Sequence, residues 1–424
     1  MKPYRSSGIL LHTTSLPGPL EPEAYRFVDF LHETGQRLWQ ILPLGPPGFG
    51  NNPYVSASAF AGNPDLVVKA KESTSEAEAF QAFCQRNAYW LDDYARFTSD
   101  SDRRLQYHFF KQWIALKKYA NQKGIKIVGD IPIYVALDSA DVRAHPELFQ
   151  LDKKGNPTVV AGVPPDYFSK TGQLWGNPIY RWDVMAKTGY RWWIERFRVL
   201  LQLVDIVRID HFRAFESYWE VPATEKTAIN GRWVKGPGAG FFEALQKEFG
   251  ELSIIAEDLG MITEEVYALR DQFGFPGMKV LQFSFGGDPK DLPDYYPENC
   301  VVYTGTHDNN TTVGWFRGEG SSTLTPQQRR EERNRLLTYL GTDGSEIHWD
   351  LIRVALSSKA KIAIIPMQDV LGLGSEARMN TPGTTEGNWR WRFSWDQLTP
   401  EAKKRLKELT LQAGRGQKLS FNSK

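Results

Sequence analysis

Residues 204–210 read Val-Asp-Ile-Val-Arg-Ile-Asp, a short apolar run that ends on a carboxylate. It is rich in Val and Ile and lacks polar alternation, the pattern of a strand buried on both faces of a parallel sheet. Seven further runs have the same form: GILLH at 8–12, LWQILPL at 38–44, IKIVGD at 125–130, LSIIAE at 252–257, MKVLQF at 278–283, CVVYT at 300–304 and KIAIIP at 361–366. The intervening segments read as helices. Residues 24–33 put Ala24, Phe27, Val28 and Leu31 on one face and stop at Gly35. Trp193, Phe197, Leu200, Leu201 and Val204 form a second stripe, and 241–249 ends at Gly250. Thr263, Thr325 and Thr399 stand where helices begin, the last two followed by Pro. Eight strands alternating with helices predict an α/β fold, a (β/α)8 TIM barrel, with an open doubly wound sheet as the competitor.

On this reading residues 1–424 form one catalytic barrel domain carrying two inserts. Residues 45–123, after the second strand, are expected to build a small subdomain. Residues 131–190, after the third, are rich in Pro, Gly, Asp and Trp and read as an ordered loop excursion. Charge narrows the partners: 51 Lys and Arg balance 50 Asp and Glu, so no basic excess favours nucleic acid or an anionic membrane. No apolar run reaches membrane-spanning length, and the first residues lack the apolar stretch of a secretion signal. Two cysteines, Cys84 and Cys300, are too few for a disulfide framework. The expectation is a cytoplasmic protein. Its 14 Trp, 17 Tyr and 24 Phe suit sugar platforms and a large core equally.

The acids decide between chemistries. Barrel active sites lie at the C-terminal strand ends, and those ends carry Asp130, Asp210, Glu257 and, just past the seventh strand, Asp308. Gathering like charges in a partly dry pocket is unfavourable, so a repeated arrangement points to function. Arg208, two residues before Asp210, points the same way along a strand, and its guanidinium favours the ionised form a nucleophile needs. Glu257 follows Leu-Ser-Ile-Ile-Ala, an apolar context that holds a proton on the acid. Two carboxyls driven apart in this way suit glycosidic bond cleavage. A metal cluster is the rival use of ringed acids, but the seven histidines form no ligand set. His211 and His307 each adjoin an acid and read as neutral donors to sugar hydroxyls. Trp175, between Gly172 and Asn177, reads as a sugar platform, whereas Trp192 and Trp193 read as packing. A lone Gly-x-Gly-x-x-Ala at 372–377 lacks the helical pattern that a dinucleotide site needs. No metal or organic cofactor is expected.

Four stretches together resemble the conserved regions of the α-amylase clan: GDIPIYV at 129–135, VRIDHFR at 207–213, IAEDLG at 255–260 and YTGTHDN at 303–309. Their form is similar to that of the amylomaltases, the 4-α-glucanotransferases. So are GILLHTTSLPG at 8–18, Pro53-Tyr54 with SAFAGNP at 58–64, LWGNP at 174–178, GRWVKGP at 231–237 and NTPGTTEGN at 380–388. The resemblance implies transfer of α-1,4-glucan segments between malto-oligosaccharides, with hydrolysis or loss of activity as alternatives. It implies Asp210 as nucleophile, Glu257 as general acid/base and Asp308 as a third acid. Arg208, His307 and Asp130 would line that subsite, Tyr54 and Trp175 would touch the glucan, and Asn380 opens a loop that overhangs the cleft. There are departures. A Gly-Ile-Gly-Asp-type stretch is missing before Glu21, and the region after Pro64 is shortened to a remnant at 69–78. Phe49 and Arg143 stand where the family has Tyr and Trp.

Overall fold

Val207 and Ile209 are buried, as are Ile254, Ile255 and Ala256 one strand away, which is why these runs tolerate no alternating polar face. The structure is a computed structural model that describes residues 5–68, 76–165, 169–320 and 324–416. The sequence-predicted remnant at 69–78 lies outside the described residues from 69 to 75. Twelve strands appear among the described residues: β1 (Ser6–Leu10), β2 (Leu38–Gln40), β3 (Lys126–Ile131), β4 (Val159–Val163), β5 (Gln173–Pro178), β6 (Ile206–Ile209), β7 (Ser217–Pro222), β8 (Arg232–Lys235), β9 (Ile254–Ala256), β10 (Gly277–Val280), β11 (Cys300–Tyr303) and β12 (Ile362–Pro366). Eight of them form one sheet in the order β10-β11-β12-β1-β2-β3-β6-β9. Read cyclically, that is chain order. A doubly wound sheet reverses its order at a switch point, and this one does not, so the fold is the (β/α)8 barrel. All eight apolar runs are barrel strands.

The chain packs as two compact units. The first comprises residues 1–42, 118–128 and 276–424. Its strands β11, β12, β1 and β2 pair in parallel, with Val301 against Ile362 and Gly8 against Leu38. Trp39 is fully buried and its indole N–H donates to the Leu11 carbonyl at 2.8 Å. The helix Tyr25–Glu33 buries Phe27, Val28, Phe30 and Leu31. Thr325 and Thr399 cap their helices by accepting from Gln328 and Ala402 N–H groups. Between β10 and β11 there is no α-helix, contrary to the alternation read from the sequence. Residues 281–295 make three 3₁₀ turns instead. Gly286, Gly287, Pro289, Pro293 and Pro297 explain this, since Gly costs backbone entropy and each Pro removes a helical donor.

The second unit comprises residues 43–117 and 129–275. In β3, position 129 is glycine because a Cβ there would sit 2.4 Å from Val204 Cγ1. Helix Arg191–Leu203 buries Trp193, Arg196, Phe197, Val199 and Leu203. Leu200 and Leu201, placed in that stripe from periodicity, are only half-buried. Strands β4, β5, β7 and β8 form an antiparallel sheet in the order β5-β4-β7-β8. Part of the segment read as a loop excursion is therefore sheet: β4 and β5 lie inside 131–190.

Candidate functional site

In the second unit, β6 and β9 pair in parallel with Ile209 opposite Ala256. The next residue on each strand is an acid, Asp210 and Glu257, so the two stand at one level on neighbouring strands. Main-chain bonds hold the level: Glu257 N–H donates to Ile209 O at 3.0 Å, Phe212 N–H to Glu257 O at 3.0 Å and Asp210 N–H to Ile131 O at 3.1 Å. Arg208 is 4% exposed. Its Nη1 lies 2.8 and 2.7 Å from the two oxygens of Asp130 and 3.1 Å from Asp210 Oδ1. Tyr54 OH donates to Asp130 Oδ2 at 2.8 Å. Burial opposes the Arg208 charge, but Asp130, then Tyr54, Asp210 and Glu257, outweigh it and raise its pKa. Asp130 has both oxygens engaged, so in this arrangement it orients Arg208 and Tyr54.

Glu257 is balanced between opposing influences. Burial is the largest and pushes its pKa up; Arg208 and two backbone N–H donors pull it down. Those donors are His211, 2.6 Å from Oε2, and Leu259, 3.0 Å from Oε1. The net direction is upward, which keeps a proton available for donation. His211 has φ 50° and ψ 51°, a left-handed conformation that few non-glycine residues adopt. The strain has a use here, because it turns the His211 amide onto Glu257. Burial first, and then Arg213, drops the His211 imidazole pKa to about 3, so it remains a neutral ring. Trp175, on β5, meets that ring edge to face at 4.8 Å between centroids and is 37% exposed.

In the first unit, Asp308 follows β11. Asn380 Nδ2 donates to its Oδ1 at 2.7 Å, and His307 Nε2 is 3.4 Å from the same atom. His307 is 6% exposed, with Trp389 at 6.0 Å between ring centroids. Three residues here were not anticipated from the sequence. Arg378 donates to the main chain of both Asp308 and Asn380. Trp389 has φ 63°, again left-handed. His12, at the end of the first apolar run, lines a small cleft with His307, Asn309 and Arg378. Its Nδ1 accepts from Leu42 N–H at 3.3 Å, and burial, then His307 and Arg392, lower its pKa to about 3. Only the strand-end position of His12 was a visible signal. The ten sequence-predicted residues thus fall into two groups. Tyr54, Asp130, Trp175, Arg208, Asp210, His211 and Glu257 belong to the second unit, and His307, Asp308 and Asn380 to the first. Among the described residues no group of three or more His, Cys, Asp or Glu is arranged to hold a metal ion.

A parallel barrel with a guanidinium-flanked aspartate level with a buried glutamate of raised pKa fits the two-carboxylate class of enzymes that cleave glycosidic bonds. Comparison with known proteins narrows this. The family pattern described as 4-alpha-glucanotransferase, glycoside hydrolase family 77, matches residues 11–70 and 99–399. The 4-alpha-glucanotransferase of Thermus thermophilus is 46% identical over an aligned span of 494 residues, covering 96% of this chain and 98% of that one. The Synechocystis 4-alpha-glucanotransferase is 46% identical over 487 residues, covering 93% and 95%. The structure of Streptococcus agalactiae amylomaltase in complex with acarbose superposes with a TM-score of 0.90 at 36% identity, covering 97% of this chain and 100% of that one. The chain belongs to the 4-alpha-glucanotransferase family. Its match is interrupted between residues 70 and 99, and both aligned spans exceed its own 424 residues.

Proposed function

We propose that this enzyme moves α-1,4-glucan segments between malto-oligosaccharides by a retaining double displacement. Glu257 gives its proton to the departing glycosidic oxygen while Asp210 attacks the anomeric carbon from the opposite face. The bond to the leaving sugar breaks and an ester to Asp210 forms. Glu257, now ionised, takes the proton from the 4-hydroxyl of an incoming glucan. That oxygen displaces Asp210 and completes the transfer. Water in the same position gives hydrolysis. The observation that carries this reading is the register of β6 and β9, with Asp210 and Glu257 as the next residues, Arg208 beside the first and burial raising the pKa of the second.

Asp308 takes the role of third acid, and His307 and Asn380 that of sugar contacts, on the strength of their motifs. Tyr54 enters from the 45–123 insert and Trp175 from the 131–190 insert, which in this reading wall the cleft. His211 supplies a neutral donor. The Streptococcus agalactiae neighbour holds acarbose, and we carry a saccharide ligand over to this chain. Neither Cys84 nor Cys300 is in a disulfide, which accords with a cytoplasmic location. Retention requires the two carboxyls roughly 5–5.5 Å apart. The test is incubation with maltotriose and separation of the products. Transfer produces oligomers longer than the substrate, and Asp210→Asn is expected to remove them, with a loss of at least about 10⁴-fold. Products only shorter than maltotriose indicate a hydrolase. Unchanged transfer by Asp210→Asn removes Asp210 from the nucleophile's role.

A further inference from the structure

Residues 378–389 hold themselves together through three side chains. Arg378 Nε donates to the Asn380 carbonyl at 2.7 Å, and its Nη2 donates to the Asp308 carbonyl at 2.7 Å. Asn380 Nδ2 donates to Asp308 Oδ1 at 2.7 Å, and Asn380 N–H to His307 O at 3.0 Å. Asn388 closes the loop: its Oδ1 accepts from Thr381 N–H at 2.9 Å, and its amide donates to Thr384 O at 3.0 Å. Left-handed Trp389 donates its N–H to Met379 O at 2.7 Å. The base of this ring rests on the third acid.

The Asp308 side chain is 47% exposed. Packing does not orient a carboxyl that open, so hydrogen bonds and the main chain must do it. Arg378 reaches 70 residues back along the chain to the main chain of the acid itself. Fixing the Asp308 carbonyl fixes the peptide plane that follows and restrains the Cα from which the side chain departs. The same planar fork fixes the carbonyl of Asn380, whose amide already grips the carboxyl.

We propose that Arg378 is a positioning residue for Asp308, clamping the acid's main chain to that of Asn380 so that carboxyl and amide meet the sugar as a preset pair. The proposal rests on the reading of Asp308 as the third acid. Arg378 itself touches no reacting atom. A carboxyl set in place before the reaction needs no reorganisation in the transition state, so its loosening lowers kcat more than it raises KM.

The experiment is maltotriose kinetics on the full chain for Arg378→Gln, Arg378→Lys, Asn380→Ala and the Gln/Ala double variant, with a thermal midpoint for each. Arg378→Gln is expected to lower kcat/KM about 10- to 100-fold, chiefly in kcat. Lysine keeps the charge but not the fork, so Arg378→Lys falls between Gln and wild type. The double variant loses less than the product of the two single losses, because both act on one carboxyl. A kcat within about twofold of wild type in both Arg378 variants overturns the proposal, as does a double variant whose losses simply multiply. If the Gln variant does not fold, the Lys variant decides on the same criterion. Asp308→Asn separates the two layers. Full activity in that variant overturns the reading of Asp308, whereas a dead Asp308→Asn beside unaffected Arg378 variants overturns this proposal alone.

Discussion

The chemistry of Glu257 comes from a contest within one side chain. Two N–H donors and Arg208 favour its charge, and burial outweighs them. A raised pKa means that the acid form, needed for the first step of the proposed mechanism, persists to higher pH and is lost as pH rises through that pKa. The alkaline limb of kcat/KM is therefore expected to report Glu257 and to lie above the ordinary carboxyl value of about 4.3. The test is to ease the burial. Trp175→Ala opens the side of His211, which holds Glu257 through its amide, and should move that limb toward lower pH. A limb that stays put in a folded variant shows that the Trp175 side chain contributes nothing to the environment of Glu257. How much of this was legible before the structure differs by residue. Asp130, Asp210 and Glu257 stood out because each ends a strand-like run, and Asp308 because it closely follows one. The primary partner of Arg208 was not visible: its spacing from Asp210 showed a neighbour, whereas Asp130, 78 residues away, takes the shorter bonds. Arg378 was invisible for a stronger reason. Its partners are carbonyl oxygens, which every residue has.

At the scale of elements, long apolar runs reveal themselves and short amphipathic strands do not. The barrel strands are buried on both faces, so their composition alone marks them. Strands β4 and β5 carry Gly162, Gly176 and exposed Leu174 and Trp175, and β4 finds its other neighbour, β7, about 60 positions on, with Gly162 opposite Trp219. No local periodicity encodes such a pairing. In the proposed reading the sheet has a functional consequence. Because β5 is pinned by β4, Trp175 presents a fixed ring beside His211, and the loss of rotamer freedom is met in folding and not in binding. Removing the ring in Trp175→Ala is expected to reduce kcat/KM for maltotriose about tenfold, corresponding to ~1.4 kcal/mol of contact. The thermal midpoint should barely move, since the side chain is 37% exposed. A large fall in the midpoint with unchanged kinetics would make Trp175 a packing residue.

For the molecule as a whole, a barrel must join its first and last strands; β1 and β12 pair in parallel from Ser6 opposite Ile362 to Leu10 opposite Pro366, and one side chain gathers the main chain beside that seam. Arg415 is fully buried. Its guanidinium donates to Leu356 O at 2.7 Å, Ser6 O at 2.9 Å, Lys361 O at 3.2 Å, Ser358 O at 3.1 Å and Ala360 O at 2.8 Å. Those carbonyls belong to β1, to the end of helix Ile347–Ser357 and to the approach to β12. Arg5 reinforces the patch by donating to Leu356 O at 2.8 Å and Ala413 O at 3.2 Å. No carboxylate among these partners neutralises the charge, so five carbonyl dipoles hold a cation out of water. Arg415→Ala would remove all five bonds; Leu356 O and Ser358 O keep Arg5, and Lys361 O keeps the Ser6 N–H, so what is lost is a set of charge-assisted bonds in a buried site, at roughly 3–5 kcal/mol in sum. The thermal midpoint should fall by roughly 3–6 °C. Lysine, with three donors on a flexible stem, should restore only part of it. None of the five carbonyls belongs to a residue of the candidate site, so turnover per folded molecule at 25 °C should match wild type. If Arg415→Ala keeps its midpoint within about 2 °C, the two ends are held by packing and the hydrogen-bonded patch is incidental.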